Sequence, residues 1–176
     1  MTITNTPEYQ LSVPQHLAIS ALLQECFPQY PSGRTHFRQL PQFRILATAE
    51  DGTLIGHIAV EHRMVNNAGQ LLRVFGLADV CVSPDYRDKG LGANLLDYST
   101  TLAQNTGIDA LLLIAHEPEF YLKNDFLAVE NECKWLFVQG DQTLGVLNRH
   151  IKGLMVKMLN GEPWRAGQLD LLGHIF

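Results

Sequence analysis

Apolar residues recur along this chain with two different periods, and the switch between them marks out its elements. Ile19, Leu22, Leu23 and Cys26 fall at i, i+3, i+4 and i+7, one face of a helix. Ser12 with Gln15 three residues on forms a capping box, and Pro14 sits in the first turn, where a missing N–H costs nothing. A turn-rich loop follows, Phe27-Pro28-Gln29-Tyr30-Pro31-Ser32-Gly33, and then a short stretch around Thr35 to Leu40 expected as a second helix. The pattern then becomes strand-like over Phe43 to Ala49 and Thr53 to Val65, joined through Asp51-Gly52. Asn66-Asn67-Ala68-Gly69 turns the second strand into a third, Leu71 to Val82, completing an antiparallel meander.

Helical spacing returns at Leu91, Leu95, Tyr98 and Leu102, predicting a helix over Gly90 to Thr106 with Gly107 just past its end. The continuous apolar run from Asp109 to Ala115 then reads as a strand buried on both faces, so strand, helix and strand form a right-handed parallel crossover. A short helix around Glu117 to Asn124 and strands at Ala128 to Val138 and Ile151 to Leu159, separated by a glycine-containing loop, complete the expected order. There is no internal repeat and no low-complexity tract.

Composition narrows the class. With 176 residues and 46% apolar content the chain can bury one substantial core, and a single domain over 1–176 is the simplest organisation. It carries 13 Lys plus Arg against 18 Asp plus Glu, a formal net charge of −5, which speaks against nucleic acid as a partner and would welcome a cationic amine. Cys26, Cys81 and Cys133 are odd in number, widely spaced and without a C-x-x-C pair, as small buried residues in a reducing compartment would be. The first seven residues show no basic or apolar leader, and the apolar stretch from Leu111 to Ala115 is too short to span a bilayer, so a soluble, cytoplasmic protein without membrane contact is expected. His57 and His62, five apart on one strand, point to opposite faces, and no metal site is expected. A G-x-S-x-G elbow is missing as well.

The chemistry concentrates after the third strand. Arg87-Asp88-Lys89-Gly90-Leu91-Gly92 runs into a helix start, where glycines remove Cβ atoms and first-turn N–H groups point along the positive end of the helix dipole. Such a segment is either a tight turn or a phosphate-binding loop. Neither the Walker pattern nor the dinucleotide fingerprint fits, the latter because Leu95 stands where a third small residue is needed.

Val82-Ser83-Pro84-Asp85-Tyr86-Arg87-Asp88-Lys89-Gly90-Leu91-Gly92 resembles the acyl-CoA signature of the GNAT superfamily of N-acyltransferases, V-x-P-x-Y/F followed by R/Q-x-x-G-x-G/A. Phe120-Tyr121-Leu122-Lys123-Asn124-Asp125-Phe126 is similar to a second family element, F-Y-E-K-L-G-F, with Leu122 replacing the acid and Asp125 the glycine. Asp tolerates the left-handed conformation a helix end often needs. The resemblance implies an α/β (α+β) GNAT fold with a mixed central sheet of about six to seven strands and about four helices. It also implies acetyl-CoA as co-substrate, with the pyrophosphate held by Arg87, Asp88, Lys89, Gly90, Leu91, Gly92 and Ala93. The backbone of Val80, Cys81 and Val82 would pair with the pantetheine arm and the thioester carbonyl.

Tyr121 matches the family's proton donor to the departing thiolate; a phenol with a reference pKa of about 10 is protonated at neutral pH. A purely structural tyrosine is the alternative. Asp79 matches an acidic residue of several members, and three roles are open to it: accepting the amine proton, binding a cationic acceptor, or a structural one. Pro163-Trp164-Arg165-Ala166-Gly167 in the tail 163–176 looks like the ending of the aminoglycoside 2'-N-acetyltransferases, and the resemblance would put this tail near the acceptor site. The implied activity is direct acetyl transfer in a ternary complex to a small-molecule amine, aminoglycoside-like or polyamine-type. N-terminal acetylation of proteins or peptides and a non-catalytic CoA-binding module are the alternatives, and homodimerisation is left open.

Overall fold

In the computed structural model, which describes residues 1–176, the capping box closes as the sequence requires: Ser12 Oγ accepts from Gln15 N–H and Gln15 Oε1 accepts from Ser12 N–H. Helix α1 (Val13–Cys26) follows, with Ile19, Leu22 and Leu23 buried. Contacts gather the chain into two compact units, Met1–Val60 with Ala78–Ser99 and Glu61–Leu77 with Thr100–Phe176. Two strands contribute to both: β3 (Leu54–Asn67) changes unit after Val60, and β4 (Gln70–Val82) after Leu77.

In the first unit, β1 (Thr2–Pro7) lies antiparallel to β2 (Phe43–Thr48), which is antiparallel to β3. Ile19, Leu22 and Leu23 pack with Leu46 of β2 and Cys81 of β4. Helix α2 (Leu91–Asn105) approaches β3 so closely that a Cβ on Gly56 would fall 2.9 Å from the Leu95 side chain. The polar run Thr-Ile-Thr-Asn-Thr of β1 gave no strand signal, because an edge strand paired on one side needs no continuous apolar face.

In the second unit the strands lie in the order β6 (Leu127–Ala128), β9 (Leu154–Met158), β5 (Ala110–Ile114), β4, β3, β10 (Leu169–His174), β7 (Glu132–Gln139), β8 (Gln142–His150). Here β5 (Ala110–Ile114) runs parallel to β4, and Ala110 to Leu113 are all buried, as the apolar run predicts. Gly107, at φ +70°, ends the preceding helix. The short helix is α3 (Pro118–Leu122).

Several expectations are corrected. No helix forms at Thr35 to Leu40: Pro41 disfavours helical backbone at Leu40, and the Thr35 carbonyl is taken by Arg44 Nη1 at 2.6 Å. The strand expected over Ala128 to Val138 is two, β6 (Leu127–Ala128) beside β9 (Leu154–Met158) and β7 (Glu132–Gln139) beside β8 and β10. The loop expected before β9 is a strand, β8 (Gln142–His150), largely exposed and paired only to β7. The tail forms β10 (Leu169–His174), antiparallel to β3 and parallel to β7. The chain thus has ten strands and three α-helices, plus single 3-10 turns at Glu8–Gln10 and Pro84–Tyr86, in the mixed α/β class expected. No helix is long and apolar enough to cross a membrane.

Candidate active site

Beyond the end of β4, the chain enters the turn Pro84–Tyr86, passes Asp88 at φ +57° and Gly90 at φ +79°, and starts α2 at Leu91. The first helical bond runs from Asn94 N–H to the Gly90 carbonyl at 3.0 Å, so the N–H groups of Leu91, Gly92 and Ala93 precede the ladder. A Cβ on Gly90 would meet nothing within 4 Å. Glycine is needed there for the left-handed backbone, and its bareness leaves the space outside open to a ligand.

The two basic side chains of this segment fold back along it. Arg87 Nε donates to the Val82 carbonyl at 3.1 Å, and Lys89 Nζ donates to the Asp85 carbonyl at 2.7 Å while lying over the Tyr86 ring. Both brace the loop, and both sit at its exposed surface. The main-chain N–H groups are what the loop presents to an anion.

Asp79 occupies a second kind of position. Its backbone is left-handed, φ +49°, inside a strand, and its side chain is only 8% exposed. Oδ1 accepts from Arg34 Nη2 at 2.6 Å, and the Arg34 guanidinium stacks over the Tyr30 ring at 4.4 Å. Oδ2 is buried with no partner. The aromatic loop therefore delivers a cation to Asp79, a pairing across 45 positions that no local pattern signals.

The Asp79 carbonyl oxygen lies 2.9 Å from His57 Nδ1, and His57 Nε2 lies 3.0 Å from Arg44 Nη1. A guanidinium only donates, so Nε2 accepts and Nδ1 carries the proton toward Asp79. Arg44 is gripped in turn by Glu8, with Nε to Oε2 at 2.6 Å and Nη2 to Oε1 at 3.0 Å. Arg44 and His57 are both fully buried. Burial, reinforced by the Arg44 charge, pushes His57 down to about 3 and keeps the ring neutral. Nothing local in the sequence announces this network, whose members come from five separate segments.

Val80, Cys81 and Val82 continue β4 beyond Asp79. Cys81 is buried, and Cys26, distant in sequence, reaches it from the end of α1, with its Sγ 3.4 Å from the Val82 carbonyl. A hydrogen bond with Cys81 and the Arg87 guanidinium hold Cys26 down to about 7, against the opposing effect of burial. The same contact and burial raise Cys81 well above the ordinary thiol range, which leaves it a poor nucleophile.

Tyr121 belongs to the second unit. Its ring meets Phe120 and Phe126 edge-on at centroid distances of 5.1 and 5.8 Å, and its carbonyl accepts from Asn124 and Phe126 N–H. Asp125 takes φ +64°, the left-handed conformation for which it can replace glycine, and Leu122 points to solvent. The tail tetrapeptide has a structural task here. Trp164 Nε1 donates to Asn131 Oδ1 at 2.7 Å, and the Arg165 carbonyl accepts from both Asn67 and Asn131 side chains. No three His, Cys, Asp or Glu side chains cluster as a metal would need.

The model of the GNAT acetyltransferase domain matches residues 14–128, more than half of the chain. Among solved structures, a GNAT family N-acetyltransferase of Escherichia coli in complex with CoA superposes with TM-score 0.63 at 19% identity, over 96% of this chain and 88% of that one. A GNAT family acetyltransferase of Brucella melitensis in complex with acetyl-CoA gives 0.61 at 17%, over 96% and 94%. An acetyltransferase of the GNAT family from Staphylococcus aureus gives 0.57 at 16%, over 90% and 100%. No curated protein sequence matches. With the glycine-bearing helix start and the fold in agreement, the chain belongs to the GNAT acetyltransferase family and is an acyltransferase.

Proposed function

We propose that this protein transfers an acetyl group from acetyl-CoA to the primary amine of a small molecule, by direct attack in a ternary complex. The observation that carries the reading is the turn into α2, where Gly90 is open to solvent and three main-chain N–H groups precede the helical ladder. Those groups, with the backbone of residues 87–90, fit a pyrophosphate. Acetyl-CoA supplies the acyl group in activated form, as a thioester.

The remaining work falls to the chain's own residues. The β4 segment after Asp79 offers main-chain N–H donors for the charge that develops on the acyl oxygen, a contribution of about 3 kcal/mol for one well-placed donor. Asp79 keeps one buried carboxylate oxygen, Oδ2, without a partner, and that atom accepts the proton released by the amine through water. Arg34 on Oδ1 already balances the carboxylate's charge, which leaves Asp79 less able to anchor a polycation by charge alone. Tyr121 donates a proton to the leaving thiolate.

A thiol-release assay with acetyl-CoA across simple amines, polyamines, aminoglycosides and peptides tests this reading. Saturable release with one or more small amines is the expected result. Release with peptides alone would reassign the protein to peptide N-terminal acetylation, and CoA binding without release would make it a non-catalytic module.

A further inference from the structure

The strongest unexplained feature is the fully buried Arg44–His57 pair, which plays no part in the chemistry above and is costly to bury. Apolar residues of similar volume would hold a core at least as well. What they cannot do is donate to a carbonyl. His57 does so at one place, the carbonyl of Asp79, where β4 takes its left-handed turn.

We propose that His57, held by Arg44 and Glu8, is a positioning residue for acyl transfer: its Nδ1–H fixes the Asp79 carbonyl, and so the direction in which Val80 to Val82 present their main-chain groups to the acyl donor. The proposal rests on the reading that this segment of β4 receives the thioester. The chain of contacts has a defined polarity. Glu8 orients the Arg44 guanidinium through two bonds, and the Thr35 carbonyl takes Nη1 as a third. Arg44 can only donate, which makes Nε2 the acceptor and leaves His57 a single tautomer, with its proton toward Asp79. Asp tolerates a φ of +49°, but within a strand it interrupts the extended backbone, so what holds the Asp79 peptide groups decides how the chain continues. The Asp79 carbonyl and carboxylate are each gripped by a different cation-bearing arm, Arg44 through His57 and Arg34 directly. With both arms in place the turn has one conformation, and donors aimed from it need no reorganisation when charge develops.

The test compares His57→Leu, which removes the donor, with His57→Asn, whose side-chain N–H stands the same number of bonds from Cβ as Nδ1. Three quantities are read: amide hydrogen exchange over residues 79–82 in the ligand-free protein, CoA affinity by calorimetry, and kcat with acetyl-CoA. His57→Leu should speed exchange there about tenfold and lower kcat by about tenfold or more, with CoA affinity within about threefold of the parent. His57→Asn should recover most of both losses. Should His57→Leu fail to fold, His57→Gln takes its place, because its amide matches Nε2, toward Arg44, and not Nδ1. Unchanged exchange and kcat in the donor-free variant overturn the proposal, as does an Asn variant no better than it. A folded parent that binds no CoA removes the underlying reading instead.

Discussion

The loop of residues 87–93 and the surroundings of Asp79 lie in the same compact unit, yet they are built on opposite plans. Residues 87–90 are exposed, the Arg87 and Lys89 side chains are tied to the Val82 and Asp85 carbonyls just before the loop, and what it leaves open are the backbone N–H groups of the helix start. Asp79 is buried among side chains drawn from residues 8, 34, 44 and 57, every one of which is placed by another. Recognition by backbone needs only a local conformation, which a short stretch with two glycines can encode. Control of one left-handed residue within a strand requires several distant side chains, because a strand's own neighbours are committed to the ladder.

Breaking the buried arm should give the largest effect. Arg44→Met leaves the Glu8 carboxylate without its cation and the Thr35 carbonyl without a donor, and is expected to destabilise the fold by about 3–5 kcal/mol, read from chemical denaturation. Because the loop does not depend on that pair, CoA affinity of the folded fraction should stay near the parent value. Equal loss of affinity would erase the distinction between the two regions.

A substitution outside both regions serves as a control. Tyr121→Phe keeps the ring contacts with Phe120 and Phe126 and should leave CoA affinity unchanged, while lowering kcat by about 10²-fold or more. An unaltered kcat would make Tyr121 structural. Gly90→Val attacks the loop alone: a β-branched residue at φ +79° resists the backbone conformation and intrudes on the ligand's approach. CoA affinity should fall by about 10²-fold with a cost in stability of roughly 1–3 kcal/mol.

Acidification is the mildest perturbation, and it acts on the buried region. His57 sits at about 3 in the fold against an ordinary value of 6.5, so below pH 6.5 the unfolded chain takes up a proton that the native one refuses. Its contribution is intact above that pH and is lost progressively as pH falls toward 3, by about 2 kcal/mol between pH 7 and 5. His57→Asn should flatten this part of the stability profile. An identical profile in both proteins would show that His57 does not carry the dependence.

Much of this was legible in the sequence, and the limits follow the same division. The capping box, the meander, the apolar strand at Ala110–Ile114 and the glycine loop are all local patterns, and each is found where the pattern puts it. The strands that escaped notice, β1, β8 and β10, are polar, exposed or tail segments whose partners, not their own periodicity, make them strands. For the site, the family resemblance points to Asp79 and the β4 residues after it, whereas Arg34 carries no local signal and His57 is one of seven scattered histidines. A three-dimensional arrangement was needed to turn them into a network, since the five residues span positions 8 to 79 without a shared spacing.

Whether the open helix start holds the pyrophosphate of an acyl donor is decided by titrating acetyl-CoA into the folded protein and following heat and melting temperature together. One saturable site is predicted, with a stabilisation of roughly 2.7 kcal/mol when the ligand stands at about 100 times its dissociation constant. No heat and no melting shift with either acetyl-CoA or CoA, in protein shown to be folded, would contradict it.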